Sequence, residues 1–128
     1  EYGDFDQGTH LQAGFVDGKN WKDYNAATDE APTFMAVQGI LTYKKKMASK
    51  WFEAVEPLVR VSWADPNTDA DNDDGLLVTP GVNLFVVSRT RLMLNADIFS
   101  PSADDDPATT LDEGAVAVGI KAASWIYF

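Results

Sequence analysis

GAVAVGIKAASWIYF, residues 114–128, alternates with a period of two. Counting back from the last residue, Phe128, Ile126, Ser124, Ala122, Ile120, Val118 and Val116 form one set, almost wholly apolar. Tyr127, Trp125, Ala123, Lys121, Gly119, Ala117 and Ala115 form the other, and Lys121 is its only charge. In an extended chain the two sets fall on opposite faces of one long strand. A strand of this length finishing in aromatics suits the closing strand of an antiparallel transmembrane β-barrel, which crosses hydrocarbon and ends in an aromatic belt. The other reading is a long strand in a soluble β-sandwich.

The same alternation recurs upstream and predicts six strands, near residues 10–16, 33–43, 51–63, 76–86, 91–99 and 115–128. In each, one face is apolar: Leu11, Ala13 and Phe15; Met35, Val37, Leu41 and Tyr43; Val55, Val59, Val61 and Trp63; Val78, Val82, Leu84 and Val86; Leu92, Leu94, Ala96 and Ile98. The opposite face carries His10 and Gln12, Gln38 and Thr42, Glu56, Arg60 and Ser62, Thr79 and Asn83, Arg91, Asn95 and Asp97. Glu53 alone falls in phase with the apolar set. Pro57 and Pro80 lie within strands and remove a ladder donor each, which predicts bulges or interrupted ladders there. Residues 1–8 are short, polar and glycine-bearing, and read as the end of something upstream.

Connections alternate long and short. Fourteen of the twenty acids fall within residues 17–30, 65–74 and 104–113, all in or beside the long connections. Lys44, Lys45, Lys46 and Lys50 mark a short one. Short turns at one end and longer loops at the other are the habit of outer-membrane barrels. Aromatics near strand ends (Tyr43, Trp51, Phe85, Trp125, Tyr127 and Phe128 at one end, Phe34, Trp63 and Phe99 at the other) predict two girdles. No apolar run approaches the roughly 20 residues that a transmembrane helix needs. A net charge of −10 argues against nucleic acid as a partner. There is no cysteine and one histidine, His10, so neither a thiolate nucleophile nor a transition-metal set is expected, and nothing marks a hydrolase.

The segments AVEPLVRVSWADPN and GVNLFVVSRTRLMLNADIF, followed by a terminal strand ending in Phe, resemble the C-terminal part of phosphate-selective porins, the porin O and P family. The resemblance rests on Glu56, Arg60, Asp65 and Pro66, on Gly81 and Asn83, and above all on the run Arg91 to Asn95. It covers about residues 50–128 well and 9–49 in general character only. It implies that the chain is the C-terminal six strands of a 16-stranded, homotrimeric barrel in the bacterial outer membrane, among lipid and lipopolysaccharide, passing small anions such as phosphate. The lysine and arginine ladder on which the family's selectivity depends would lie mostly upstream.

On this reading Glu56, Arg60, Arg91, Asn95, Asp97 and Lys121 line the pore, which sorts small solutes and ions by width and charge. The different-class alternative is a secreted β-sandwich binding module, calcium-dependent or carbohydrate-binding. The spacing of Asp69, Asp71 and Asp73 invites calcium, but Asp74 stands where an EF-hand loop needs glycine and Pro80 where it needs glutamate. A solvated acidic loop accounts for the same residues. No cofactor is expected otherwise, and no enzymatic activity.

Overall fold

The computed structural model of the chain describes residues 2–3, 6–21, 25–71, 73–86, 90–102 and 116–126. They form one antiparallel sheet of seven strands whose spatial order is their order in the chain. These are β1 (Tyr2–Gly3), β2 (Gly8–Lys19), β3 (Thr33–Lys46), β4 (Phe52–Asp65), β5 (Gly75–Val86), β6 (Thr90–Pro101) and β7 (Ala117–Ile126). The sheet is open: β1 and β7 each pair on one side only. Seven strands fall short of the eight at which barrels of this kind begin to close.

The six alternating segments are β2 to β7, most of them longer than the pattern suggested. β2 runs on through Val16, Asp17, Gly18 and Lys19 because these pair with Ala36, Met35, Phe34 and Thr33. A seventh strand, β1, comes from the stretch read as a mere lead-in, where Tyr2 and Gly3 pair with Leu11 and His10. Gly3 has φ 125°, and a Cβ there would lie 2.2 Å from the carbonyl oxygen of Thr9. Only glycine makes that approach without displacing the neighbouring strand. Ala115, Tyr127 and Phe128 of the expected last strand, and the acidic segment 104–113, lie outside the described residues.

The two prolines are accommodated by interruptions without slippage. An extended residue turns its N–H and C=O towards the same neighbouring strand. The β4–β5 ladder is continuous through Pro57↔Val82 and Val59↔Pro80. The β3–β4 ladder instead breaks after Thr42↔Leu58 and resumes at Lys45↔Val55, opposite Pro57. Likewise β5–β6 breaks after Val78↔Ile98 and resumes at Gly81↔Asn95, opposite Pro80. Glu53, the charge out of phase, sits where the β4–β5 register shifts between Phe52 and Ala54. The bulge removes it from the alternation.

All three long connections emerge at one end of the sheet. There Lys19 faces Thr33, Ala64 faces Gly75, and Phe99 faces Ala117. At the other end β3 finishes at Lys46 and β4 starts at Phe52, and Val86 faces Thr90.

Candidate functional site

Register fixes which side chains share a face. One face carries Leu11, Ala13 and Phe15, then Val37 and Leu41, Val59 and Val61, Val78 and Val82, Leu94 and Ile98, and Val118 and Ile120. Most of its large apolar side chains are exposed, up to 79 % for Ile120, while Val59, Val78 and Val82 are half-buried. The other face carries the polar set, and there Thr79 and Asn83 are buried to 2 % and 4 % exposure. A sheet folded for water on its own would show the reverse.

On the apolar face of β2 to β7 the described charges stand only at strand ends. Asp17, Met35 and Asp65 share one level near the long loops, and Lys45 marks the opposite end. Met35 and Lys45 are ten residues apart along β3. At about 3.4 Å per residue that is ~34 Å along the strand, or ~26 Å of height at a barrel-like tilt of about 40°. Tyr43 and Trp63 lie just inside the two margins.

All six residues expected to line a pore lie on the polar face. Lys121 on β7, Asp97 on β6, Thr79 on β5 and Arg60 on β4 cross four adjacent strands at similar height. Arg60 Nη2 donates to Thr79 Oγ1 at 3.1 Å, and Thr79 Oγ1 donates to Asp97 Oδ1 at 2.7 Å. Arg60 also stands 3.6 Å from Asp97 Oδ1, and Lys121 Nζ pairs with Asp97 Oδ2. The Thr79–Asp97 bond spans the ladder gap opposite Pro80, so side chains couple the strands where backbone pairing is missing. Two levels towards the short turns, Asn83 Nδ2 donates to Glu56 Oε1 at 2.7 Å. Arg91 lies over the Trp125 ring at 5.9 Å. Asn95 fills the space over Gly81, where a Cβ would come within 2.1 Å of its Oδ1. Arg60 Nε, Arg91 Nε, Asn83 Oδ1 and Asn95 Oδ1 are buried without a protein partner.

Glu56 and Arg60 share this face, but among the described residues no ion pair joins them; each turns to a residue of β5 instead. Thr79 and Asn83, the hubs of the two arrangements, were not among the expected pore residues. Their parity was visible in the sequence, but their cross-strand partners depend on register. Lys44 and Lys46 join the same face, Lys44 over Phe85 at 4.2 Å and Lys46 2.6 Å from Asp6. Donation from Lys46 holds the Asp6 carboxyl below its ordinary range.

The two aromatic girdles are only partly realised. Tyr43 and Trp63 border the apolar face, but Phe34, Phe85, Phe99 and Trp125 have the opposite parity and sit on the polar face. Phe34 covers Gly18 and Phe99 covers Gly75, where an added Cβ would meet each ring at 2.8 and 2.7 Å. Trp51 precedes β4, and Tyr127 and Phe128 lie outside the described residues.

At the loop end, Asp74 accepts from Trp63 Nε1 at 2.6 Å and from Ser102 Oγ. The Ser102 hydrogen bond, then that of Trp63, holds the Asp74 carboxyl below its usual range. Asp73 goes the other way, raised by burial and by the nearby Asp65. Among the described residues no three of His, Cys, Asp or Glu are placed to share a metal ion, so Asp69, Asp71 and Asp73 are not brought together as a calcium set. Comparison with protein-family models, characterised proteins and solved structures finds no match.

Proposed function

We propose that this sheet is part of the wall of an outer-membrane porin, its apolar face towards lipid and its polar face towards a water-filled channel for passive diffusion of small solutes and ions. The observation that carries the reading is the charge-free band of ~26 Å on an exposed apolar face, against roughly 25 Å for the apolar band of transmembrane barrels. Strands of 10 to 14 residues suit tilted crossing strands better than the five or six usual in a sandwich. The polar atoms buried without protein partners call for water on that face, since each left dry costs about 1–3 kcal/mol. Closure is then completed by further strands, as in the 16-stranded phosphate-selective porins that residues 50–128 resemble, with homotrimers as the family's habit.

The polar face of β2 to β7 bears Lys44, Lys46, Arg60, Arg91 and Lys121 against Glu56 and Asp97. Five bases against two acids favour anions in the channel, phosphate among them. Single-channel recording of the full-length protein in planar bilayers tests this. Discrete ohmic steps, with a reversal potential of anion sign under a salt gradient, are expected. A detergent-free soluble protein giving no steps at any concentration would return the chain to the β-sandwich class.

A further inference from the structure

The long-loop end holds a feature that a diffusion channel does not require. The β2–β3 connection and the β4–β5 connection pack on one another, with Thr68 N donating to Thr33 O at 2.8 Å and Asn20 Nδ2 donating to Pro66 O at 3.3 Å. Between them lies an open cleft of about 620 Å³, within the 300–1,000 Å³ typical of small-ligand sites. Trp21 lines it, 71 % exposed. Asn25, Asp29, Glu30, Asn67 and Asp69 line it with amides and carboxylates.

A tight turn builds one wall. Asn25 bridges to Glu30, its Oδ1 accepts from Ala27 N at 2.9 Å, and Asp29 takes the left-handed conformation at φ 56°. Asparagine and aspartate tolerate these positions better than other side chains. The turn thereby sets Asp29 and Glu30 on the cleft opposite Asn67 and Asp69 of the other loop.

The chemistry narrows the ligand. An exposed indole offers a flat π face of negative potential, which attracts the weakly positive C–H face of a pyranose ring. Carboxylates and amides spread along the walls accept and donate to hydroxyls. The three carboxylates Asp29, Glu30 and Asp69 outnumber the one lining cation Lys19, whose Nζ donates to Thr33 Oγ1 at 3.0 Å, so anionic ligands are disfavoured. A metal ion fits poorly, because no three acidic groups among the described residues converge on one point. We infer that this cleft binds a neutral oligosaccharide, with Trp21 as the stacking platform and the Asn25, Asp29, Glu30, Asn67 and Asp69 walls as the hydroxyl partners. At the loop end of the sheet it would hold sugar beside the channel mouth, free in solution or as a glycolipid headgroup.

The test is calorimetric titration of the full-length protein with maltohexaose, laminarihexaose and N-acetylchitohexaose, beside hexagalacturonate and calcium chloride alone. Saturable binding of at least one neutral hexasaccharide is expected, weakened at least tenfold by Trp21→Ala, less by Trp21→Phe, and severalfold by Asn67→Ala. Competition by vesicles carrying a digalactosyl lipid, against phosphatidylcholine vesicles, separates a headgroup ligand from a free one. Binding of none of the neutral sugars, binding of hexagalacturonate or calcium only, or neutral-sugar binding untouched by Trp21→Ala would each overturn the inference. Conductance measured on the same preparations keeps the two readings apart. Steps without sugar binding leave the channel and remove the cleft, and sugar binding without steps does the opposite.

Discussion

The two faces of this sheet obey opposite rules although they are made of the same strands. On one, Leu94 and Ile120 lie exposed and every described charge is pushed to a strand end. On the other, Thr79 and Asn83 are buried beside Ala54, and a carboxylate is shared between Arg60 and Lys121. The difference teaches that burial inside a single chain is a poor guide to what a face is for. Solvent preference is written in composition, and under the proposed function the exposed face meets hydrocarbon and the crowded one water.

The most direct way to break that contrast is a cation in the middle of the apolar band. Val61 pairs with Gly39 and Val78 near mid-height. Val61→Arg in the full-length protein should cost about 2–4 kcal/mol of stability in bilayers, against about 0–1 for Asp65→Arg at the margin. Urea unfolding from vesicles measures both. Equal effects at the two positions would mean that no hydrocarbon gradient lies across this face.

On the polar face the sharpest probe is Asp97→Asn, which strips the shared carboxylate of its charge while keeping its shape. A loss of stability, read as a lower urea midpoint, is expected from its charge-assisted bonds. Lys121 comes closer to Asp97, yet its side chain is 70 % exposed against 34 % for Arg60. Solvent screening and side-chain entropy favour Arg60 as the stronger partner. A double-mutant cycle with Arg60→Met should therefore couple more strongly than one with Lys121→Met, and the opposite ranking would show that proximity outweighs screening. The same Asp97→Asn variant should move the reversal potential further towards anions.

Packing over Gly81 allows a subtler test. Gly81→Ala would press a methyl group into Asn95, and overpacking of this kind costs about 1–3 kcal/mol. Asn95→Ser, a shorter side chain, should recover part of that loss in the double variant. Failure to recover would locate the strain in the Leu94 carbonyl, 3.2 Å from the same position.

Alternation made β2 to β7 legible, because a period of two survives any tertiary arrangement that leaves the faces in different solvents. Parity also put Glu56, Arg60, Arg91, Asn95, Asp97 and Lys121 on one face. It could not say that Thr79 would join Arg60 to Asp97, since that depends on the register of β4 on β5 and of β5 on β6. The aromatics were misjudged for a related reason. Position near a strand end places a ring at the right height, but parity decides which face it serves, and Phe34 and Phe99 serve glycines on the polar one. β1 has only two residues, too few to show a period at all. The cleft was illegible because its walls come from two loops about 40 residues apart, brought together by contacts such as Thr68 N to Thr33 O and Asn20 Nδ2 to Pro66 O.

The smallest expected effect lies where the faces meet the long loops. Trp63 borders the apolar face, yet its indole donates to Asp74 in the connection above. Because Asp74 is held below its usual range, its stabilising contribution is complete above the ordinary aspartate value of about 3.9 and disappears as pH falls through the lowered one. Asp73, raised by burial and by Asp65, works in the opposite sense: what it contributes is present below the ordinary value and lost as pH rises through the raised one. The two aspartates are neighbours but respond to different surroundings, so acidification should loosen the Trp63 contact while relieving Asp73. Asp74→Asn should cost about 1 kcal/mol or less, since the site is half-exposed. Its signature is optical: the acid-dependent change in tryptophan emission below about pH 4 should be present in the wild type and missing in both Asp74→Asn and Trp63→Phe. If Trp63→Phe retains that change, the reporter is another tryptophan and the margin of the apolar band is not tied to the loop through this bond.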